Sequence, residues 1–321
     1  MAGAVASGRR LRANLLLGLC AAIWGFAFVA QSEGAHIGAF TFNASRFAIG
    51  AVSLLPLVGW VDRRTGVDAA ARRARWRGVL GPGLWCGAFL FGGATMQQIG
   101  IESTTAGNAA FVTGLYVVMV PLVGVLLGRR TALTTWVGAG LALVGLYLLT
   151  VTAAFTVNPG DVLCLVGTVF WTGHILSVGH FSRRLDALRL SVAQFGACAL
   201  YAAVAALFLD AAPFAGVPDA LGPVLFAGLV STGVGYTLQV VAQQDALESH
   251  AAIIMSLESM FGAIGGALFL GEVMTPRGYV GAALMMSGII LSQLPPPGSR
   301  WGRRRASVPV PEPPSTALAK E

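Results

Sequence analysis

The chain is written as apolar blocks separated by short polar joints, and each block is long enough to cross a bilayer. Ten such blocks fall at 13–31, 37–60, 78–99, 104–127, 132–151, 161–181, 188–209, 221–243, 249–271 and 275–294. A hydrocarbon core of about 30 Å needs about 20 apolar residues in helical form. Only 11% of the 321 residues are charged, 55% are hydrophobic and the mean hydropathy is +0.73. A soluble domain carries about 25% charged residues, so this apolar content exceeds what one water-soluble core encloses. Barrel strands would show shorter segments of alternating polarity, which the sequence lacks. The expected fold class is an all-α integral membrane protein with ten transmembrane helices.

The charges fix an orientation. Of the 21 basic residues, one is lysine and the rest are arginines. They cluster in the stretch before block one (Arg9, Arg10, Arg12), between blocks two and three (Arg63, Arg64, Arg72, Arg73, Arg75, Arg77), after block four (Arg129, Arg130), after block six (Arg183, Arg184, Arg189) and beyond block ten (Arg300, Arg303, Arg304, Arg305, Lys320). With ten spans all these clusters lie on one side, leaving Arg277 opposite and Arg46 inside a span. Short basic loops stay cytoplasmic, so a multi-pass protein of the cytoplasmic membrane with both termini cytoplasmic is expected. An odd span count would break the pattern. The net charge of +7 sits in these bursts rather than on one basic face, which argues against nucleic acid as a partner; membrane lipid and a small-molecule substrate are the partners expected. The segment 295–321, rich in proline, arginine and serine, reads as a disordered cytoplasmic tail.

Cys20, Cys86, Cys164 and Cys198 all fall inside apolar blocks without metal-ligand spacing and read as small buried thiols. The run from Leu15 to Ala30 after three arginines imitates a secretory signal, but apolar blocks continue to residue 294, so it reads as the first span. No nucleophile elbow, His-Glu-x-x-His motif or Walker loop is present. Neither a cofactor nor a metal is expected, nor an enzyme.

The chain also resembles itself. Asn108-Ala-Ala-Phe-Val-Thr-Gly-Leu-Tyr, Leu127-Gly128, Gly138 and Gly145 are answered by Ala251-Ala-Ile-Ile-Met-Ser-Leu-Glu-Ser, Leu270-Gly271, Gly281 and Gly288, the glycines at one constant offset. Trp24 similarly matches Trp171. Five spans followed by five related spans must insert the second half upside down, and inverted repeats are a mark of secondary transporters that bind substrate near the midplane. Expected boundaries are an N-terminal tail over 1–12, repeats over 13–151 and 161–294, and the tail from 295. Gly83-x-x-x-Gly87 and Gly262-x-x-x-Gly266 read as small-residue seams for close helix contact.

Thr105-Ala-Gly-Asn-Ala-Ala-Phe-Val-Thr-Gly-Leu-Tyr-Val-Val-Met-Val-Pro121 resembles the fourth span of the drug/metabolite transporter superfamily, EamA type. Trp24-Gly25, Ser45-Arg46-Phe47, Leu257-Glu258 and Leu270-Gly271-Glu272 extend the likeness over residues 13–294. The resemblance implies ten helices, cytoplasmic termini, and export or exchange of metabolites such as amino acids. Arg129-Arg130 departs from it, standing where the family often has an acid; the pair reads as a topology signal.

Inside the spans, Arg46 is the one deep basic residue and Glu258 the one deep acid. Charge at bilayer depth costs several kcal/mol and normally faces a cavity or another charge. Each lies about nine residues, or about 14 Å, into its span, so both are expected at one level on helices of opposite repeats. Three roles fit Arg46: a fork for a substrate carboxylate or phosphate, a partner for Glu258, or a structural cation on backbone carbonyls. Two fit Glu258: a proton-coupling or amine-binding carboxylate, or a hydrogen-bonded structural acid. Trp24, Tyr116 and Trp171 fall at the same level and are candidates for stacking, with helix packing as the alternative. Asn108, His174, Gln194, Tyr236 and Gln239 are polar candidates for the cavity wall, and Gln194 falls where Arg46 falls in the other repeat. Gln97 and Gln98 are placed near the outer mouth. The expected function is a secondary transporter moving a small metabolite, an amino acid or related compound, by alternating access, with export the expected direction and proton coupling a possible drive. An intramembrane lipid-modifying enzyme and a non-transporting scaffold are the rival classes; the first would need several deep acids or histidines, and the second would need no inverted repeat. Substrate, direction, coupling ion and oligomeric state are left open by the sequence.

Overall fold

A computed structural model of the chain describes residues 2–104, 106–151, 158–269 and 275–294. The described residues form helices joined by turns and loops, and the helices occupy the ten expected positions. They are α1 (Ala2–Glu33), α2 (Ala39–Arg64), α3 (Ala69–Ile101), α4 (Ala106–Gly114), α5 (Tyr116–Leu126), α6 (Leu133–Thr150), α7 (Pro159–Phe181) and α8 (Ala187–Leu209). A continuous helix over Leu221–Ala242 follows, made of α9 (Leu221–Leu225), a π-helical stretch (Phe226–Tyr236) and α10 (Thr237–Ala242). Then come α11 (Glu248–Met255), α12 (Glu258–Phe269) and α13 (Pro276–Gln293).

Seven of the described helices are individually long and apolar enough to cross a membrane, fewer than the ten uninterrupted spans expected. The fourth and ninth positions are each two shorter helices, α4–α5 broken at Leu115 and α11–α12 broken at Ser256–Leu257, and the tenth carries Arg277 near its start and Gln293 at its end. Two ends also differ from the sequence expectation. The first helix starts at Ala2, so the described part of the 1–12 tail continues α1. The third starts at Ala69 with Asp68 accepting from the Ala71 amide as its N-cap, so Arg72, Arg73, Arg75 and Arg77 ride on the first turns of α3 rather than in a loop. Arginine is a good helix former, and hydropathy alone does not see a cap. The tail from Pro295 and the Leu270-Gly271-Glu272 motif lie outside the described residues.

The bundle has one arginine-rich end. There the buried Arg189 bonds Asp62 across from α8 to α2 and reaches Asp186 at 2.9 Å, while its guanidinium lies 5.8 Å from the Trp76 ring of α3. Breaking such a buried pair by removing one partner costs about 3–5 kcal/mol. At the opposite end the Asp210 carboxylate accepts from the Thr41 amide at 2.7 Å, capping the start of α2 from a distant loop. Negative charge there complements the helix N-terminus. Partial burial, and next the Asp210 charge, hold the nearby Glu102 carboxyl above its ordinary range. A carboxyl raised on folding favours the folded state below its raised pKa and less so as pH climbs past it.

Close helix contacts run through glycine. The described α6 and α13 cross at two points, Gly138 against Gly288 and Gly145 against Gly281. A methyl group on Gly145 would stand 2.5 Å from the Gly281 carbonyl oxygen and 2.7 Å from the Met285 amide. Gly83 and Gly87 of the first expected seam pack α3 on Ala193 and Ala197 of α8. In the second, Gly262 meets Gly25 of α1. Lipid tails are as apolar as leucine, so this shape fit, rather than a hydrophobic drive, holds the helices together. Gly145→Leu is expected to force α6 off α13 and lower the melting temperature in detergent by several degrees or abolish folding. Gly140→Leu is the control, because nothing stands within 4 Å of a Cβ there, and it should melt like the parent.

Candidate functional site

The site grows from three helix stripes and two helix breaks. On α1, Trp24, Ala27, Phe28 and Gln31 repeat at i, i+3, i+4 and i+7; on α7, Trp171, His174 and Ile175 do the same over one turn. Tyr236 and Gln239 follow from the π-helical stretch into α10, and the two helix breaks deliver Tyr116 and Glu258. All of these residues, with Arg46 of α2, line one cavity of about 30 Å³. That volume holds a water or two.

The two broken helices meet at the cavity. Tyr116 is the first residue of α5 and Glu258 the first of α12, and the Tyr116 hydroxyl donates to Glu258 Oε1 at 2.9 Å. Gly25 makes room for this junction, since a methyl group there would lie 2.6 Å from the Glu258 carbonyl oxygen and 2.6 Å from the Gly262 amide. The Glu258 carboxylate also sits at the positive end of α12.

Arg46, 2% exposed, is held differently. Its Nε donates to Asn43 Oδ1 at 2.9 Å, and Asn43 in turn donates to Thr95 at 3.4 Å. The guanidinium lies over the Phe47 ring at 4.7 Å and near Phe42 at 5.6 Å. Among the described residues no ion pair joins Arg46 to Glu258; the two charges share a cavity without touching. The α2 backbone reaches this position because Gly228 of the π-helical stretch leaves space beside the Arg46 carbonyl, 3.1 Å from where a Cβ would be. π-helical geometry inside an α-helix is rare and frequently marks functional sites.

Aromatic rings close the space between them. Tyr236 packs against Trp24 at 4.5 Å and stacks on Trp171 at 6.1 Å with a 16° interplanar angle. Trp24 Nε1 donates to the Ser231 carbonyl at 3.4 Å, and Trp171 Nε1 to Gln97 Oε1 at 3.2 Å. Each indole is thereby fixed at its polar edge.

Eight of the ten residues expected from sequence therefore come together: Trp24, Arg46, Tyr116, Trp171, His174, Tyr236, Gln239 and Glu258. Gln194 stands one residue behind the wall, its Oε1 2.9 Å from His174 Nε2. The Asn108 side chain lies outside the described residues. Sequence reasoning missed Gln31 and Thr113 and placed Gln97 at the outer mouth. Gln97 instead lines the cavity, bonded to Gln31 at 3.3 Å as well as to Trp171, and Gln98 donates to the Gln31 carbonyl at 3.0 Å. The i+7 spacing of Trp24 and Gln31 was a usable signal for Gln31. No comparable signal marks Gln97, because which face of α3 looks inward depends on α7.

At the arginine-rich end a second, larger cavity of about 820 Å³ opens, lined by Arg10, Arg129, Arg130, Arg183, Glu248 and His250 among others. Its wall adjoins the small cavity: Val120 faces one and Tyr116 the other on α5, and Leu176 and Ile175 are similarly divided on α7. Glu248, the first residue of α11, is clasped there by Arg129 at 2.9 Å and Arg183 at 3.3 Å, while Arg183 also donates to the Ala246 carbonyl at 2.9 Å. The arginines read from sequence as topology signals thus tie two inter-helix turns to α11.

Long apolar helices packed through glycine around a buried, charged cavity define a multi-pass membrane protein. Comparison with known proteins makes it a membrane transporter: the chain belongs to the EamA-like transporter family, whose model matches residues 11–151 and 158–294. It is 32% identical to an uncharacterized transporter of Archaeoglobus fulgidus over 89% of this chain and 87% of that protein. It is 24% identical to the uncharacterized transporter YwfM of Bacillus subtilis over 88% and 94%. A crystal structure of another protein superposes with a TM-score of 0.67 over 92% of this chain and 98% of that one, at 16% identity, showing a shared fold.

The clasp yields a test of how the two cavities are partitioned. Glu248→Gln removes the charge both arginines share, and loosening α11 is expected to raise several-fold the rate at which a cysteine placed at Val120 reacts with an impermeant maleimide added from the arginine-rich side. An unchanged rate would mean that the clasp does not hold this wall shut.

Proposed function

We propose that the chain is a secondary transporter that moves a small zwitterionic metabolite, an amino acid or related compound, out of the cell by alternating access, with protons as the coupling ion. The observation that carries this reading is the cavity itself. Among the described residues it is lined by one buried cation, Arg46, and one buried carboxylate, Glu258, on helices of different halves, unpaired with each other and beside aromatic rings. Two opposite charges kept apart in a low-dielectric site are matched by a ligand with both a carboxylate and an amine, which compensates both at once. In this reading the small cavity is a closed state that widens when the halves move apart; Arg46 then receives the carboxylate through its remaining N–H groups, Glu258 exchanges between substrate amine and proton, and Trp24, Trp171 and Tyr236 hold the apolar body.

The halves 13–151 and 161–294 are taken as inverted five-helix repeats in a cytoplasmic membrane, with both termini and the arginine-rich end cytoplasmic. Two features support the inversion. The basic clusters fall on one side only for an even number of spans. Also, the matched glycines meet crosswise, Gly138 with Gly288 and Gly145 with Gly281, as a two-fold axis between the halves requires. Discontinuous helices at corresponding positions, α4–α5 and α11–α12, are the usual builders of midplane sites in such carriers. The large cavity is then the cytoplasmic vestibule and the Glu248 clasp its inner gate.

Flux of amino acids in vesicles reconstituted with the pure protein tests this directly. Glu258→Gln is expected to leave exchange measurable but to abolish its response to an imposed pH gradient; intact proton-driven flux in that variant removes Glu258 from the coupling step. Arg46→Ala is expected to weaken transport of zwitterions by about 10–100-fold, the worth of a hydrogen bond to a charge, while transport of simple amines falls far less. Equal loss for both classes assigns Arg46 a structural role.

A further inference from the structure

The two charges leave part of the cavity chemistry unused. Three lining residues each carry a buried polar atom with no hydrogen-bond partner: His174 Nδ1, Gln239 Oε1 and Thr113 Oγ1. The residues are 0%, 1% and 3% exposed. Buried polar groups in native proteins are almost always satisfied, so each such atom needs an explanation.

The hydrogen bonds around them fix what is missing. With the Gln194 amide oriented so that Oε1 faces the ring, His174 Nε2 donates to it at 2.9 Å and carries the ring proton. His174 Nδ1 is then a bare lone pair. The Gln239 amide donates from Nε2 to Gln243 Oε1 at 3.1 Å, and Gln243 is itself anchored by donating to the Ile175 carbonyl at 3.0 Å. This chain of donors is locked, so the Gln239 oxygen stays an open acceptor. Both acceptors belong to residues grouped around Tyr236: the His174 ring packs edge-on to it at 6.1 Å, and Gln239 follows it by three residues in the same continuous helix. Thr113, on α4, which packs against the helix that carries His174, has a hydroxyl that takes either role.

From this arrangement we infer that the substrate carries a third recognition group, an uncharged hydrogen-bond donor such as a hydroxyl or a carboxamide, received by His174 and Gln239 with Thr113 beside them. The inference rests on the zwitterion reading above and narrows it to amino acids with polar, uncharged side chains. A positively charged side chain fits less well, because Glu258 is the only acid among the described lining residues and is already assigned to the amine. The aromatic rings alone would accept apolar side chains of similar size, and an apolar pocket separates near-isosteres only weakly. Discrimination becomes large when the wrong ligand leaves buried polar groups unmatched.

The test is counterflow in reconstituted vesicles with two near-isosteric pairs, threonine against valine and glutamine against methionine. The parent protein is expected to prefer the donor-bearing member of each pair by at least about tenfold in apparent affinity. Q239M should shrink that preference to a few-fold, and T113V, a nearly shape-neutral change, is the second variant should Q239M fail to insert. Equal handling of the members within each pair overturns the inference while leaving the zwitterion reading standing, and so does a preference that neither variant reduces. Absence of flux for all four amino acids overturns the zwitterion reading and this inference with it.

Discussion

Holding a lone arginine and a lone glutamate inside an apolar helical bundle is the constraint around which the rest is arranged. Each charge at bilayer depth costs several kcal/mol unless compensated, and the chain compensates the two separately. Arg46 leans on Asn43 and on the faces of Phe47 and Phe42. Glu258 takes a hydroxyl donor from Tyr116 and the positive end of its own helix. Had they paired with each other, the charges would have cancelled and the cavity between them would have no reason to favour a ligand. Contrast Arg189, which spends its charge on Asp62 and Asp186 and ties helices together.

That arrangement depends on backbone geometry that only small residues and broken helices allow. Gly25 lets α1 approach the start of α12, Gly228 lets the π-helical stretch approach α2, and Gly93 leaves a face for Trp171, whose ring would lie 2.9 Å from a Cβ there. The breaks at Leu115 and at Ser256–Leu257 turn two would-be spans into half-helices whose starting residues point chemistry at the cavity. Interrupted helices inside a membrane are tolerated where the freed backbone groups line a cavity or are buried in protein.

The same half-helices connect the cavity to the arginine-rich end. α5 and α11 are joined at one end through Tyr116 and Glu258, which starts the next half-helix, and at the other through Arg129 and Glu248. α11 is eight residues, about 12 Å long, so one short helix and the break at Ser256–Leu257 are all that separate Glu258 from the Glu248 clasp. In the proposed cycle this is the mechanical link between binding and opening.

Much of this was legible in the residues themselves. Apolar block length set the helix positions, the arginine clusters marked one end of the bundle, and the scarcity of deep charge singled out Arg46 and Glu258 before any contact was known, because hydrocarbon tolerates so few charges that each one present is informative. The residues from Trp24 to Gln31 and from Trp171 to Ile175 carried their cavity face as a helical repeat. What the linear order left undecided was every relation between helices. Gln97 joins the site only because α3 turns that face toward Trp171, the Glu248 clasp exists only because three distant turns converge, and the break at Ser256–Leu257 has no adjacent proline or glycine that would announce it. The sequence by itself determined which segments enter the membrane and which residues cannot afford to face lipid, since those follow from transfer free energy one residue at a time. Only the tertiary structure decided which of them meet, since that follows from how glycine-lined helix surfaces fit together.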